Sequence, residues 1–378
     1  NLILKNINLH LHPSNMTHVS RIFKQATFIS KNYDFEKVIL LGIWKKGLTK
    51  SELFENNIHI KRVSLFNIKN RSILYFYYYI YVLVFIVLNR PNMVNIHTLE
   101  FLPVLLIAKI FKIKVIYDPH ELETEKANIK GFRKKLSKWL EYLLIKKVDH
   151  IFVVGENIAD WYSKAYNIPR PTVLLNSPRA VHVKRANYFR DTFNLRNDQI
   201  IILYQGNLGQ GRGINLLLET FKKRINDKVV IVFMGYGELE IEIQSASKLI
   251  NNIFFHEAVP SDVLLNYTAS ADIGIALIKN TCLSYNFCMP NKLFEYAMAG
   301  LPVIVSNMTE MRDFVKTHQI GIVIMSDTAE AVSDAVDELL SFDLNKLKQN
   351  AKNAAFKHSW EYQETKMRDV YQNLLKKI

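Results

Sequence analysis

Apolar and polar positions along the chain alternate between two periods. Short, nearly continuous runs of Val, Ile and Leu are separated by stretches in which apolar residues recur at helical spacing. The runs predict strands at residues 7–11, 38–42, 94–97, 114–118, 150–154 and 172–175 in the first half. In the second half they predict strands at residues 200–205, 229–234, 253–256, 273–277, 302–306 and 321–324. Strands apolar on both faces and separated by helices belong in parallel sheets covered on either side. The pattern breaks at the polar stretch 176–196, which contains Pro178, and restarts at Ile200. The expected architecture is α/β, with two doubly wound Rossmann-like domains facing across a cleft. Residues 1–185 form the first domain and residues 186–350 the second. Residues 351–378 form a helix returning to the first, with Trp360 and Tyr371 as anchors. Ligands of such sheets sit at the carboxyl ends of the strands, which places the expected site in the cleft.

Two segments of the first half suggest a membrane surface. Residues 73–88 (ILYFYYYIYVLVFIVL) carry no charge and lie between Arg71 and Arg90. A spanning helix needs about 20 apolar residues, so the run falls short. Its tyrosines suit an interface; a buried helix or strand pair is the other reading. Residues 131–147 (GFRKKLSKWLEYLLIKK) place Phe132, Leu136, Trp139, Leu140, Leu143 and Leu144 on one helical face. Arg133, Lys134, Lys135, Lys138, Lys146 and Lys147 make up the basic remainder, as an interfacial amphipathic helix requires. An ordinary surface helix is the alternative.

Charge sharpens this picture. The net charge is +14, yet residues 1–185 hold 29 Lys and Arg against 13 Asp and Glu, while residues 186–378 hold 20 against 22. The basic surplus belongs to one half, so a partner that meets only that half is implied. No zinc-finger spacing, aromatic RNA-binding signature or basic tail accompanies it, which argues against nucleic acid. An anionic membrane, touched without being crossed, is the expected partner. Cys282 and Cys288 cannot make a disulfide framework, and no secretory signal opens the sequence. The expectation is a cytoplasmic protein on the inner face of the membrane.

Three segments carry candidate chemistry. GNLGQGRG at residues 206–213 follows a strand and opens a helix. Gly209 and Gly211 let backbone amides approach an anion, the helix end adds positive potential, and Arg212 supplies bidentate donors. MPNKLFEYAMAG at residues 289–300 is a loop and a helix, with Pro290 suited to the first turn and Gly300 to the end. Lys292 and Glu295 share a face there; the carboxylate can accept from a ribose diol while Lys292 meets phosphate, or the two can simply pair on the surface. DPHE at residues 118–121 ends a strand and offers His120 to a sugar hydroxyl or a developing charge. Neither an Asp-x-Asp pair nor Cys/His zinc spacing occurs, so no metal or other cofactor is expected.

Together these pieces resemble the retaining glycosyltransferases of family four, which have the B-type two-domain fold. The likeness covers nearly the whole chain and is strongest over residues 205–221 and 288–306, with YDPHE (117–121) and HSWEYQE (358–364) adding to it. The resemblance implies that Arg212 contacts the donor diphosphate and that the loop with Met289, Pro290, Asn291, Lys292 and Leu293 approaches it. It further implies that Glu295 holds the ribose, that Ala258 and Val259 border the base, and that His120 lies near the transferred sugar. Phe287 stands where the family's first glutamate belongs, Asn207 where many members carry a second arginine, and residues 14–17 (SNMT) where a double glycine is common.

The implied activity is transfer of a hexose-type sugar, with retention, from a nucleotide sugar to a glycan or lipid-linked glycan in bacterial surface polysaccharide synthesis. A sugar-nucleotide epimerase on the same fold and a catalytically silent nucleotide-binding subunit, suggested by Phe287, are the alternatives.

Overall fold

The structure, a computed structural model, describes residues 6–64, 70–224 and 228–376. The chain divides into two compact units, Asn1–Leu174 with Glu364–Ile378, and Leu175–Gln363.

The first unit is built on β1 (Ile7–Leu11), β2 (Lys37–Ile43), β3 (Ser51–Glu55), β4 (Ile58–Val63), β5 (Met93–Ile96), β6 (Lys114–Tyr117), β7 (His150–Val153) and β8 (Thr172–Val173). Their order is β3-β4-β2-β1-β5-β6-β7-β8. The second unit holds β9 (Ile200–Asn207), β10 (Val229–Tyr236), β11 (Ile253–Glu257), β12 (Ile273–Ala276), β13 (Val303–Ser306) and β14 (Gly321–Ile324), ordered β11-β10-β9-β12-β13-β14. Every expected strand is present, and the pairings of the second sheet are parallel.

The hairpin β3–β4 departs from the expected all-parallel plan. β3 pairs antiparallel with β4 across a turn at Asn56, whose φ is 45°, and a register shift interrupts the ladder between Leu53 and Glu55. Most of β3 is exposed, so it lacks the apolar run that marks a buried strand.

The boundaries fall away from the expected positions for a visible reason. Residues 176–185 are bonded into the second unit: Trp360 N donates to Pro178 O (2.9 Å), Ala180 N to Glu361 (2.8 Å) and Arg185 to Asp272 (2.5 Å). Trp360 is fully buried there, so it anchors the second unit and not the first. The Leu344–Lys357 helix also stays in the second unit, packed on the Asn291–Met298 helix. Only the later turns of the Trp360–Leu375 helix return. In the first unit Tyr371 donates to Asn95 Oδ1 (2.8 Å) and Arg368 lies over the Phe28 ring.

Residues 73–88 fall in one helix, Arg71–Asn89, whose Asn70 cap accepts from Ser72 N (2.9 Å). Tyr78, Val82, Phe85 and Ile86 turn inward, and the Tyr78 hydroxyl bonds Leu41 O. Ile73, Phe76, Ile80, Val84, Val87 and Leu88 form an outward apolar stripe. The Gly131–Ile145 helix does the same. Phe132 is 79% exposed and Trp139 59%, with Leu136 and Leu143 beside them, whereas Leu144 faces the core. Lys134 and Lys138, expected to remain available to lipid, both pair with Glu125 (2.6 and 2.5 Å). The helix is held down by Leu144, Ile145 and Glu141. Fully buried Glu141 accepts from the hydroxyls of Tyr117 (2.8 Å), Tyr162 (2.9 Å) and Tyr166 (2.5 Å), as a buried carboxylate must.

Candidate functional site

In the second unit the two donor motifs meet. β9 carries the chain into the glycine turn, and Gly213 caps the Ile214–Lys223 helix at φ 73°. A Cβ there would stand 2.4 Å from Leu277 Cβ, so both backbone and space demand glycine. The turn is stitched to the next strand, with Leu208 N donating to Tyr236 O (2.9 Å) and Gln210 N to Glu238 (2.8 Å). Arg212 projects from it and lies over the Tyr285 ring at 5.5 Å.

The Asn291–Met298 helix brings the second motif to the same place. Pro290, expected in the first turn, is the extended cap before it, and Gly300, at φ 73°, follows its end as expected. Lys292 Nζ sits 3.7 Å from the centre of the Tyr204 ring and beside the open space where Gly206 lacks a side chain. Burial, and then the Arg212 charge, lowers the Lys292 ammonium to about 7, with Glu295 pulling the other way. Two cations and two helix N-termini therefore converge. Such a set attracts a diphosphate, which would restore the charge on Lys292.

Glu295 is fixed by a network that sequence reasoning missed. Gln205 donates to its Oε2 (2.6 Å) and accepts from Thr268 (2.8 Å), while the Tyr296 hydroxyl accepts from Gln205 N (3.0 Å) and donates to Ile275 O (3.2 Å). A polar residue closing an apolar strand, immediately before the glycine turn, was the available signal for Gln205. Thr268 and Tyr296 gave none. Asn291 Oδ1 accepts from Asn176 (3.0 Å). Ala258 and Val259 follow β11, on the same carboxyl edge of the sheet. Met289 is half-buried. Leu293 departs from its expected part: its side chain is in the core and its amide bonds Pro290 O (3.0 Å). Phe287 closes the short Leu283–Asn286 helix. A cavity of about 260 Å³ adjoins the turn, lined by Gly209, Gly211, Ile214, Leu277, Lys279 and Ser306; Lys292 and Glu295 are not in its walls.

His120 belongs to the first unit, after β6, and is joined there by residues that the sequence did not single out. His97 follows β5, and His10 and His12 mark the end of β1, on three adjacent strands. Asp118 is clamped by Arg21 through Nε and Nη2 and by Gln25 (2.7 Å). Burial raises its pKa, but the Arg21 charge and the bonds from His97 and Arg21 hold the carboxyl well below the usual range. Burial keeps His10 and His120 well below the ordinary histidine value and His12 at about 4. Ligand atoms of His97, Asp118 and His120 lie within 4.8 Å of one another. The Arg21 guanidinium already neutralises Asp118 and opposes a cation at that spot.

Comparison with known proteins bears on the family and the fold. The family model described as Glycosyl transferases group 1 matches residues 186–358, and that described as Glycosyltransferase Family 4 matches residues 43–177. No curated protein sequence matches. Among solved structures, sucrose-phosphate synthase from Thermosynechococcus elongatus superposes with a TM-score of 0.79 at 14% identity, over 98% of this chain and 99% of that one. Anabaena HepE in complex with UDP-glucose gives 0.72 at 12%, over 98% of each. WaaG, a glycosyltransferase involved in lipopolysaccharide biosynthesis, gives 0.66 at 15%, over 96% of this chain and 99% of that one. With a matching family model on each unit and the same fold in these structures, the chain belongs to the glycosyltransferases of the B-type two-domain fold.

Proposed function

We propose that the protein transfers a hexose-type sugar from a nucleoside diphosphate donor to a glycan or lipid-linked glycan, retaining the anomeric configuration and requiring no metal. The observation that carries this is the meeting of Arg212, Lys292 and Glu295 around the glycine turn. The bond from the sugar's anomeric carbon to the diphosphate breaks as the acceptor oxygen bonds that carbon. Negative charge then grows on the leaving phosphate, where Arg212, Lys292 and the helix ends stabilise it. Glu295 orients the ribose, His120 contacts the sugar, and the leaving phosphate takes the acceptor's proton. UDP-glucose bound to HepE and the lipopolysaccharide role of WaaG support this reading by analogy. A panel of sugar nucleotides, with and without EDTA, should contain one that raises the unfolding temperature and is transferred in both conditions. A raised temperature at saturating donor follows from mass action. Isomerised sugar nucleotide from donor alone would favour an epimerase, and donor binding with no turnover on any acceptor a silent subunit.

The acceptor end of this reading rests on the first unit. The two helices that carry its outward stripes both reach residues 100–101: Tyr78 and Tyr79 pack on Phe101, and Arg133 approaches the adjacent Glu100 (3.9 Å). Aromatic and aliphatic side chains there, with exposed Arg133 and Lys135 on the second helix, suit an anionic bilayer surface on the cytoplasmic side. The protein should float with anionic vesicles. Trp139→Asp with Leu136→Asp should abolish flotation, because both side chains face outward. Undiminished flotation of that variant would remove the Gly131–Ile145 helix from the interface.

A further inference from the structure

Three histidines at the strand ends of the first unit, His10, His97 and His120, form a directed chain. His97 Nδ1 lies 3.2 Å from Asp118 Oδ2 and 3.2 Å from His120 Nε2. Its Nε2 lies 2.9 Å from His10 Nδ1, and His10 Nε2 lies 3.5 Å from the Asn95 amide nitrogen. The Asn95 amide is oriented at its other end, since its Oδ1 accepts from Tyr371.

Hydrogen-bond logic assigns the protons between Asp118, His97 and His10. Asp118 is ionised and can only accept, so His97 carries its proton on Nδ1. His97 Nε2 is then an acceptor and takes a proton from His10 Nδ1. His10 Nε2, left unprotonated, faces the Asn95 amide nitrogen, which also donates to Asn8 Oδ1 (2.9 Å). His97 Nδ1–H also faces His120 Nε2, which must therefore be unprotonated. His120 is the partly open member, with 29% of its side chain exposed.

We propose that His97 is a positioning residue that fixes His120 in the neutral tautomer with its proton on Nδ1. His120 then offers a hydrogen-bond donor, not a base, to an oxygen of the sugar. This rests on the reading above that His120 contacts the sugar. The groups around it are consistent: burial, then His97, Arg21 and His12, disfavour the imidazolium, and Asp118 alone opposes them. The His12 ring stacks on His120 at 5.8 Å and adds no partner for Nε2.

Long-range ¹H–¹⁵N correlation on histidine-labelled full-length protein reads the tautomer directly. Neutral His120 with Nδ1 protonated is expected at neutral pH. An imidazolium, or a proton on Nε2, overturns the inference without any mutant. His97→Asn and His97→Gln then separate positioning from packing. The shorter amide places its N–H near the lost Nδ1–H, and the longer one places it near Nε2. His97→Asn should keep both tautomer and transfer. His97→Gln should release the tautomer and lower kcat about 10- to 100-fold with little change in KM, the size of loss seen for partners that orient metal-ligating histidines. Identical tautomers in the two variants would also overturn it. Full transfer by His120→Ala would instead remove His120 from the sugar site, a separate result from the tautomer measurement.

Discussion

An Arg212→Ala variant should fold, bind donor weakly and lose about 100- to 1,000-fold in kcat, the usual loss for one preorganised donor aimed at developing negative charge. Circular dichroism and single-turnover transfer check the two halves of the statement; full transfer would sink the site assignment. Lys292 adds a pH signature. Its ammonium titrates near 7 in the free protein, so below that pH the cation is already present. Above it, binding a diphosphate must take up a proton. Apparent donor affinity should therefore fall as pH rises past 7, by up to about tenfold per pH unit. Calorimetry in buffers of different ionisation heat should show proton uptake at pH 8 and little at pH 6. Lys292→Arg, which stays charged at any of these values, should flatten the profile.

Mild acid should weaken the first unit far more than the second. His10, His12 and His120 are held neutral in the fold, while in an unfolded chain each protonates near 6.5. Their contribution is intact above 6.5 and is lost as pH falls toward the depressed folded values, about 4 for His12. Each can remove at most about 1.4 kcal/mol per pH unit in that window. Asp118, depressed as well, adds its loss only below the ordinary carboxylate range, near 4. Denaturant unfolding at pH 7.5, 6 and 5, read by hydrogen exchange on peptides of each unit, should show the first unit failing first. His12→Gln should reduce the slope. Equal acid sensitivity of the two units would contradict the buried neutral histidines.

Much of this was legible before the fold was known, and the division has a physical basis. Parallel strands buried on both faces announce themselves as Val- and Ile-rich runs, so β1 and β14 were read to the residue. The hairpin β3–β4 was not, because an exposed edge strand needs no apolar run. Arg212, Lys292 and Glu295 were visible because turn chemistry and helix spacing are local. The grip on Glu295 was hidden because Gln205 and Thr268 are far apart in sequence and meet only through packing. His10 and His97 carry no local signal; only the order β1-β5-β6 sets them side by side. The Lys134 and Lys138 charges were counted as free because nothing local points to Glu125 as their partner.

Glu141 gives the protein an optical gauge. Burial, and then the neighbouring carboxylate, pushes the hydroxyls of Tyr117, Tyr162 and Tyr166 above the ordinary phenol range. In an alkaline titration these three of the 18 tyrosines should stay silent in the ultraviolet while exposed ones turn to phenolate. They share their anchor with the Gly131–Ile145 helix, so lifting that helix off the unit would unmask them together. Late absorbance at high pH, recorded with the protein in solution and on vesicles, would report whether the helix stays seated when the protein meets a bilayer.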